Sequence, residues 1–345
     1  MERKVLMKAL IVEEANRARV VEIPETKARS SEALLQVRMV GLCGSDLNTF
    51  RGRNPMAQFP RVLGHEIAAT VLESAPSADG SVLAAGTNVT LSPYTACGKC
   101  SSCRRARFNA CEFNQTLGVQ RDGALTELVS VPAERLFAAS LSLRELCLVE
   151  PLTVGFHAAA RGRVTANDIV AVFGCGGVGL GAICSAAFRG ARTIAIDMDD
   201  AKLEIARAAG ATDLINSGRE DLHTRLAEIT GGHGPDCIIE AIGLPSTFRA
   251  AVDEVAFTGR VVYIGYAKEP VAYETKLFVQ KELDILGSRN ALPEDFHEVI
   301  RMLEAKRFPV EQTISVVAPI EEAPDLLRQW SENPAKFTKI MIQVS

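Results

Sequence analysis

The chain has no surplus of positive charge, no internal repeat and no apolar run of signal-peptide length at its start, and each absence narrows its function. Thirty-eight lysines and arginines face 42 aspartates and glutamates, for a net charge of −4. That balance argues against nucleic acid as the main partner, because phosphate binding calls for a basic face. The short basic run CRRAR at 103–107 has a single aromatic, Phe108, beside it and reads as a solvated surface. The opening stretch MERKVLMKALIVEEANRARV lacks the core and cleavage pattern of an export signal. A cytoplasmic, reducing setting is therefore expected, in which disulfides are disfavoured. No low-complexity linker appears, yet 345 residues exceed one compact core and imply two domains. Residues 169–188 carry no charge, but five glycines between Gly174 and Gly181 would weaken a membrane helix. Strand, turn and helix account for them, and no membrane role is expected.

What is present is concentrated chemistry. Four of the nine cysteines, Cys97, Cys100, Cys103 and Cys111, follow CxxCxxCx7C. Four thiolates at that spacing can wrap one tetrahedral ion, and zinc is the natural occupant. A closed thiolate shell leaves no open position, so this ion is expected to hold a loop in shape. An iron–sulfur cluster fits less well, since no second ferredoxin-type run or Cys-Pro ending is found.

The glycines of 169–188 form Gly174-Cys175-Gly176-Gly177-Val178-Gly179, between a strand-like IVAVF and a helix-like run of small residues. A second apolar strand, RTIAID, ends at Asp197, eighteen residues after Gly179. This is the dinucleotide fingerprint: glycines admit the pyrophosphate, the helix start favours its charge, and the acid takes the adenosine ribose. Asp197 would repel a 2′-phosphate, so NAD is expected in place of NADP. Strands and helices then alternate through PDCIIEAIG, which ends at Gly243, and GRVVYIGY, expected to run as a strand past Gly265. Both glycines are candidate cofactor contacts. The expected architecture is α/β: a doubly wound parallel sheet over 156–288, and a β-rich catalytic domain over 1–155 completed by 289–345.

Cys43, Ser45 and Asp46 in GLCGSDLNTF, His65 and Glu66 in VLGHEIA, and Glu150 in VEPLTVGFHAAARG make a candidate second zinc site with an open position. Each residue alone has a bland reading as core or surface. The remaining cysteines, Cys147, Cys175, Cys184 and Cys237, read as buried small hydrophobes.

The pieces GLCGSD, FPRVLGHE, the four-cysteine lobe, GVQRDGALTEL, VEPLTVGFHA, FGCGGVGLG, IAIDMDDAKLEIARAAGA and GSRNALPEDF, in this order, resemble the zinc-containing medium-chain dehydrogenase/reductase family. The resemblance covers essentially the whole chain and implies a GroES-like catalytic domain beside a Rossmann domain, two zincs per chain, and NAD. It makes Cys43 and His65 catalytic-zinc ligands, with Glu66 or Glu150 completing the shell. Asp46 would orient His65, Ser45 would take the substrate proton, Thr153 would lie near the nicotinamide and Lys202 beside the adenosine. Many relatives carry a proton-relaying histidine where this chain has Asn48, so the proton exit is expected to use water, the cofactor ribose or Glu66. The glutamate ligand and VEPL motif resemble the polyol and sugar-acid branch, in particular enzymes that oxidise a secondary hydroxyl of hexonates such as L-galactonate. Sorbitol, galactitol phosphate and threonine are the alternatives. Arg51 and Arg289 are candidates for a substrate carboxylate. Relatives form dimers or tetramers, and the same is expected here. A zinc-free reductase would leave the metal residues without a role, and a non-catalytic NAD-sensing zinc protein would not explain Cys43, His65 and Glu150.

Overall fold

A computed structural model describes residues 5–28, 32–76 and 81–345. The chain divides into two compact units, Met1–Glu150 with Ile314–Ser345, and Pro151–Thr313.

The first unit opens with the hairpin β1 (Leu6–Glu14) and β2 (Arg17–Pro24) and the long strand β3 (Glu32–Leu42). In β3 the sequence EALLQVRM alternates apolar with polar, and burial alternates with it, as a strand covered on one face requires. A short helix α1 (Gly44–Phe50), then strands β4 (Glu66–Val71), β5 (Asn88–Leu91), β6 (Leu128–Pro132) and β7 (Leu136–Ala138) follow. Helix α2 (Leu143–Arg161) leads out of this unit and holds Pro151 in its interior.

The second unit is strand and helix in turn: β8 (Ile169–Phe173), α3 (Gly177–Phe188), β9 (Arg192–Asp197), α4 (Asp200–Ala208), β10 (Asp213–Asn216), α5 (Leu222–Thr230), β11 (Cys237–Glu240), α6 (Pro245–Glu254), β12 (Arg260–Tyr263), α7 (Lys276–Gln280), β13 (Asp284–Gly287) and α8 (Pro293–Glu304). Asp199 and Asp221 start α4 and α5 by accepting backbone N–H groups at the first turn. The six strands are parallel in the order β10-β9-β8-β11-β12-β13, with Phe173, Ile194, Ile196, Ile238 and Val261 among the buried core. Order reverses at β8, which makes the carboxyl ends of β8 and its neighbours the binding edge of such a sheet.

The chain then returns to the first unit as β14 (Ile314–Pro319), α9 (Ala323–Glu332) and β15 (Lys339–Gln343). That sheet runs β7-β5-β4-β3-β15-β14, with β6 also paired to β3. Ile340 and Ile342 of β15 and Leu327 of α9 join Leu35, Ile67, Leu91 and Leu136 in one core, so the first unit needs its distant C-terminal segment.

Two differences from the sequence reading have local causes. The second unit starts at Pro151 and ends at Thr313, where 156 and 288 were expected. Helix α8 belongs to it because Phe296, Val299, Met302 and Leu303 are buried, and because Asp295 accepts from the Leu292 N–H (2.7 Å) and pairs with buried His157 of α2 (2.8 Å). Strand β12 stops at Tyr263 short of Gly265: the Ile264 N–H makes the last ladder bond to the carbonyl of Glu240 (2.9 Å), and the Gly265 N–H turns back to that same carbonyl (3.1 Å). Asp295→Ala strips the cap from α8 and one partner from His157. It should destabilise the protein by about 2–4 kcal/mol, read as a lower urea midpoint.

Candidate functional site

The antiparallel pairing of β3 with β4 sets Gly41 opposite Glu66. A Cβ at Gly41 would fall on Glu66 Oε2, so only glycine lets the two strands close with that carboxylate inside. One residue beyond the end of β3, Cys43 caps α1, and its N–H donates to Asp46 Oδ2 (2.8 Å). His65 directly precedes β4. The candidate ligand atoms of Cys43, His65 and Glu66 all lie within 4.8 Å of one another. A thiol, an imidazole and a carboxylate, with two of the three buried, are the donor set of a catalytic zinc that keeps an open position.

The surroundings fit the same ion. Asp46 is fully buried, and its Oδ1 accepts from the Gly64 N–H at 3.4 Å and lies 3.8 Å from His65 Nδ1. Burial raises its pKa above the ordinary carboxylate range. Ser45 Oγ is buried and has no partner among the described residues, so a hydroxyl stands ready for a ligand beside Cys43.

Glu150 is not in the close trio. Its Oε1 accepts the hydroxyl proton of Tyr94, and burial raises its pKa as it raises that of Tyr94. Two partners of this site went unseen in the sequence. Tyr94 lies in SPYTACGKC at the border of the cysteine lobe. Lys339 opens β15, where Ile340 pairs with Leu42, and its Nζ donates to Glu66 Oε1 and Oε2 (2.7 and 2.6 Å) and to the Leu42 carbonyl (3.3 Å). A lysine inside the apolar run KIMI was the available signal.

The four-cysteine lobe closes as expected. The Sγ atoms of Cys97, Cys100, Cys103 and Cys111 lie within 4.8 Å of one another. The pairs Cys97–Cys103 at 4.0 Å and Cys100–Cys111 at 3.8 Å are far too long for disulfides. Among the described residues the cluster consists of these cysteines alone, with no aliphatic side chain in it. The Ser102 hydroxyl and neighbouring backbone N–H groups lower the Cys100 thiol to about 5, while burial pushes Cys103 up to about 11. Four thiols so placed could hold one tetrahedral ion.

In the second unit, Gly174 turns with φ +96°, and a Cβ at Gly179 would collide with its carbonyl, so the turn is tight enough for a backbone cradle. Gly176 caps α3, whose first residues are Gly177 and Val178. Asp197 Oδ2 accepts from the Cys175 N–H (2.8 Å), and Oδ1 accepts from Met198 (2.8 Å) and Asp199 (3.1 Å). The carboxylate thus fixes the loop it was expected to accompany. Lys202 lies in the first turn of α4, Thr153 is buried on α2, and Gly243 and Gly265 follow β11 and β12. Arg51 is turned to α9, where it binds Ser331 through the hydroxyl (3.0 Å) and the carbonyl. Its guanidinium is already engaged. Arg289 follows β13 and is half-buried.

Comparison with known proteins agrees with this geometry. Residues 29–140 match the alcohol dehydrogenase GroES-like domain, and residues 177–305 match the zinc-binding dehydrogenase domain. An uncharacterised zinc-type alcohol dehydrogenase-like protein of Haemophilus influenzae is 33% identical over 336 residues, 97% of this chain and 98% of its own. L-galactonate-5-dehydrogenase of Escherichia coli is 32% identical over 83% of this chain and 84% of its own, and sorbitol dehydrogenase of Bacillus subtilis is 32% identical over 81% of each. The structure of an Escherichia coli alcohol dehydrogenase complexed with NADH superposes with a TM-score of 0.89 at 27% identity, over 98% of this chain and 99% of that one. The chain belongs to the zinc-type medium-chain alcohol dehydrogenases, on their polyol branch, with zinc and a nicotinamide dinucleotide as the cofactors of that family. No helix among the described residues is long and apolar enough to cross a membrane.

Purified protein should carry two zinc equivalents by elemental analysis. Cys43→Ala should lose one, and Cys100→Ser should lose the other together with thermal stability. Lys339→Met strands a buried carboxylate and should destabilise the zinc-free protein by about 3–5 kcal/mol, measured by denaturant titration.

Proposed function

We propose that this chain oxidises a secondary hydroxyl of a polyol or sugar acid to the ketone, with zinc in the first unit and NAD as acceptor. The observation that carries the reading is the convergence of Cys43, His65 and Glu66 beside the unpartnered hydroxyl of Ser45. Cys43 and His65 would hold the metal, with Glu66 or Glu150 as the third protein ligand. When bound, zinc supplies a Lewis acid able to lower the pKa of an oxygen ligand by roughly nine units, as it does for water, and NAD supplies the hydride acceptor.

The chain's own residues do the rest. Ser45 Oγ would accept the proton of the substrate hydroxyl while passing its own hydroxyl proton onward, as the carbinol carbon gives up its hydride to NAD and the C=O bond forms. Asp46, whose Oδ1 stands 3.8 Å from His65 Nδ1, would bias the imidazole through its charge and leave the other ring nitrogen for the metal. Asn48 cannot titrate near neutral pH, so the proton leaves by water, by the cofactor ribose or by Glu66. Thr153, Gly243 and Gly265 serve the nicotinamide half, Lys202 the adenosine. Asp197 favours NAD over NADP, because a 2′-phosphate would face its carboxylate.

L-galactonate-type hexonates are the first candidate substrates, supported by the likeness to L-galactonate-5-dehydrogenase. Arg51, which also binds Ser331, and Arg289 are the candidates for a substrate carboxylate. Sorbitol, galactitol phosphate and threonine complete the set to test. The protein works as a homodimer or homotetramer: among the described residues β13 has a neighbour on one side only, and Ile285 and Val279 are exposed for a second copy. Nine free cysteines suit a reducing cytoplasm.

A panel of aldonates and polyols, followed at the absorbance of NADH, tests the substrate. Turnover on a hexonate should exceed that on sorbitol or threonine, and silence across the panel would refute the reading. His65→Ala should cut kcat at least 10³-fold while NADH still binds. Ser45→Ala should cost about 10²- to 10⁴-fold.

A further inference from the structure

One buried carboxylate of the second unit has no part in the chemistry above. Glu240 ends β11 with no exposed surface, between Phe173 of β8 and Tyr263 of β12 in strand register. Its Oε1 gathers three donors: the Ile242 N–H (2.9 Å), the Gly243 N–H (2.8 Å) and the Thr247 hydroxyl (2.8 Å). Its backbone carbonyl takes the Ile264 and Gly265 N–H groups, as noted for the end of β12. Oε2 is buried with no partner among the described residues and lies against Gly265, where a Cβ would collide with it.

A carboxylate is costly to bury, and sequences keep one inside where its hydrogen bonds shape something. Here they shape the turn 241–243. That turn abuts the glycine loop, for Ile242 Cγ1 lies 2.8 Å from where a Cβ on Gly174 would stand. On its other side Gly243, at φ +86°, presses on the backbone of Tyr266, within 3 Å of any added Cβ. Glu240 therefore joins the exits of β11 and β12 into one surface beside the glycine loop.

Strand order says what that surface faces. The adenosine ribose belongs at Asp197 on β9 and the pyrophosphate at the loop after β8. A dinucleotide laid across the switch point continues over β11 and β12. Its remaining half is the nicotinamide and its ribose.

We propose that Glu240 is a positioning residue for the nicotinamide half of the dinucleotide: it holds the turn 241–243 and the exit of β12 in the shape that half requires, without touching it. The proposal rests on reading this unit as a dinucleotide site, and the test separates the two.

NADH is titrated by its fluorescence and ADP by calorimetry against the full-length, zinc-loaded protein, in wild type, Glu240→Met and Glu240→Gln. ADP carries the adenosine and both phosphates and lacks the nicotinamide half. Methionine keeps the volume and removes the acceptors, whereas glutamine keeps one carbonyl oxygen for the Ile242 and Gly243 amides. Glu240→Met should weaken NADH at least tenfold, about 1.4 kcal/mol, and ADP less than twofold. Glu240→Gln should stay within threefold of wild type for both. Unchanged NADH affinity in Glu240→Met, equal weakening of NADH and ADP, or a glutamine variant as weak as the methionine one would overturn the proposal. Should Glu240→Met fail to fold, Thr247→Val, which removes the hydroxyl that reaches Glu240 Oε1 (2.8 Å) and the Leu244 carbonyl (2.9 Å), carries the test: about threefold selective loss of NADH is expected, and no selective loss overturns it. Wild-type protein that binds no NADH would instead overturn the reading of the unit itself.

Discussion

The pairing of Gly41 with Glu66 is the constraint on which the first unit turns. It fixes the register of β3 and β4 and brings Cys43 and His65 to the same end of the sheet. It also buries a carboxylate that would be untenable alone. Lys339 neutralises that charge from β15, so the ion pair ties the C-terminal strand to the candidate metal centre. Burial by itself would lower the Lys339 pKa, yet Glu66 and Cys43 raise it overall, and the ammonium stays charged. A buried pair of this kind contributes little net stability, but it penalises any register that separates the partners. The geometry of three candidate ligand atoms therefore depends on a residue 273 positions from Glu66.

The two units use different means to reach a defined site. The second relies on backbone: glycine turns, strand exits and helix starts, with Asp197 and Glu240 acting on N–H groups around them. The first relies on side chains drawn from a strand end, a loop and a helix. This division matches the ligands each is read to hold, since a phosphate is recognised by N–H groups and a metal by donor atoms.

The legible parts of the sequence were those whose chemistry is local. CxxCxxCx7C and GxGxxG with its later acid are short-range patterns, and the strand–helix alternation after residue 168 is periodic enough to read. Cys43, Ser45, Asp46, His65, Glu66 and Glu150 were singled out from the sequence, but their mutual distances were not readable. That arrangement depends on strand register, which no composition reveals. Lys339 and Tyr94 escaped for the same reason. The far boundary of the second unit was misplaced because α8 looks independent until Asp295 is seen against His157. Strand β12 was drawn too long because the residues after Tyr263 are as apolar as those before. What stops it is the carbonyl of Glu240, a tertiary partner.

The cysteine lobe has one more consequence. Among the described residues the four thiols pack against one another, so loss of the ion would leave this segment to its turn and loop hydrogen bonds, and loose backbone at a surface is what proteases cut first. Metal scarcity would thus bear on how long the folded chain survives as well as on how fast it turns over, since Tyr94 at the border of this lobe donates to Glu150.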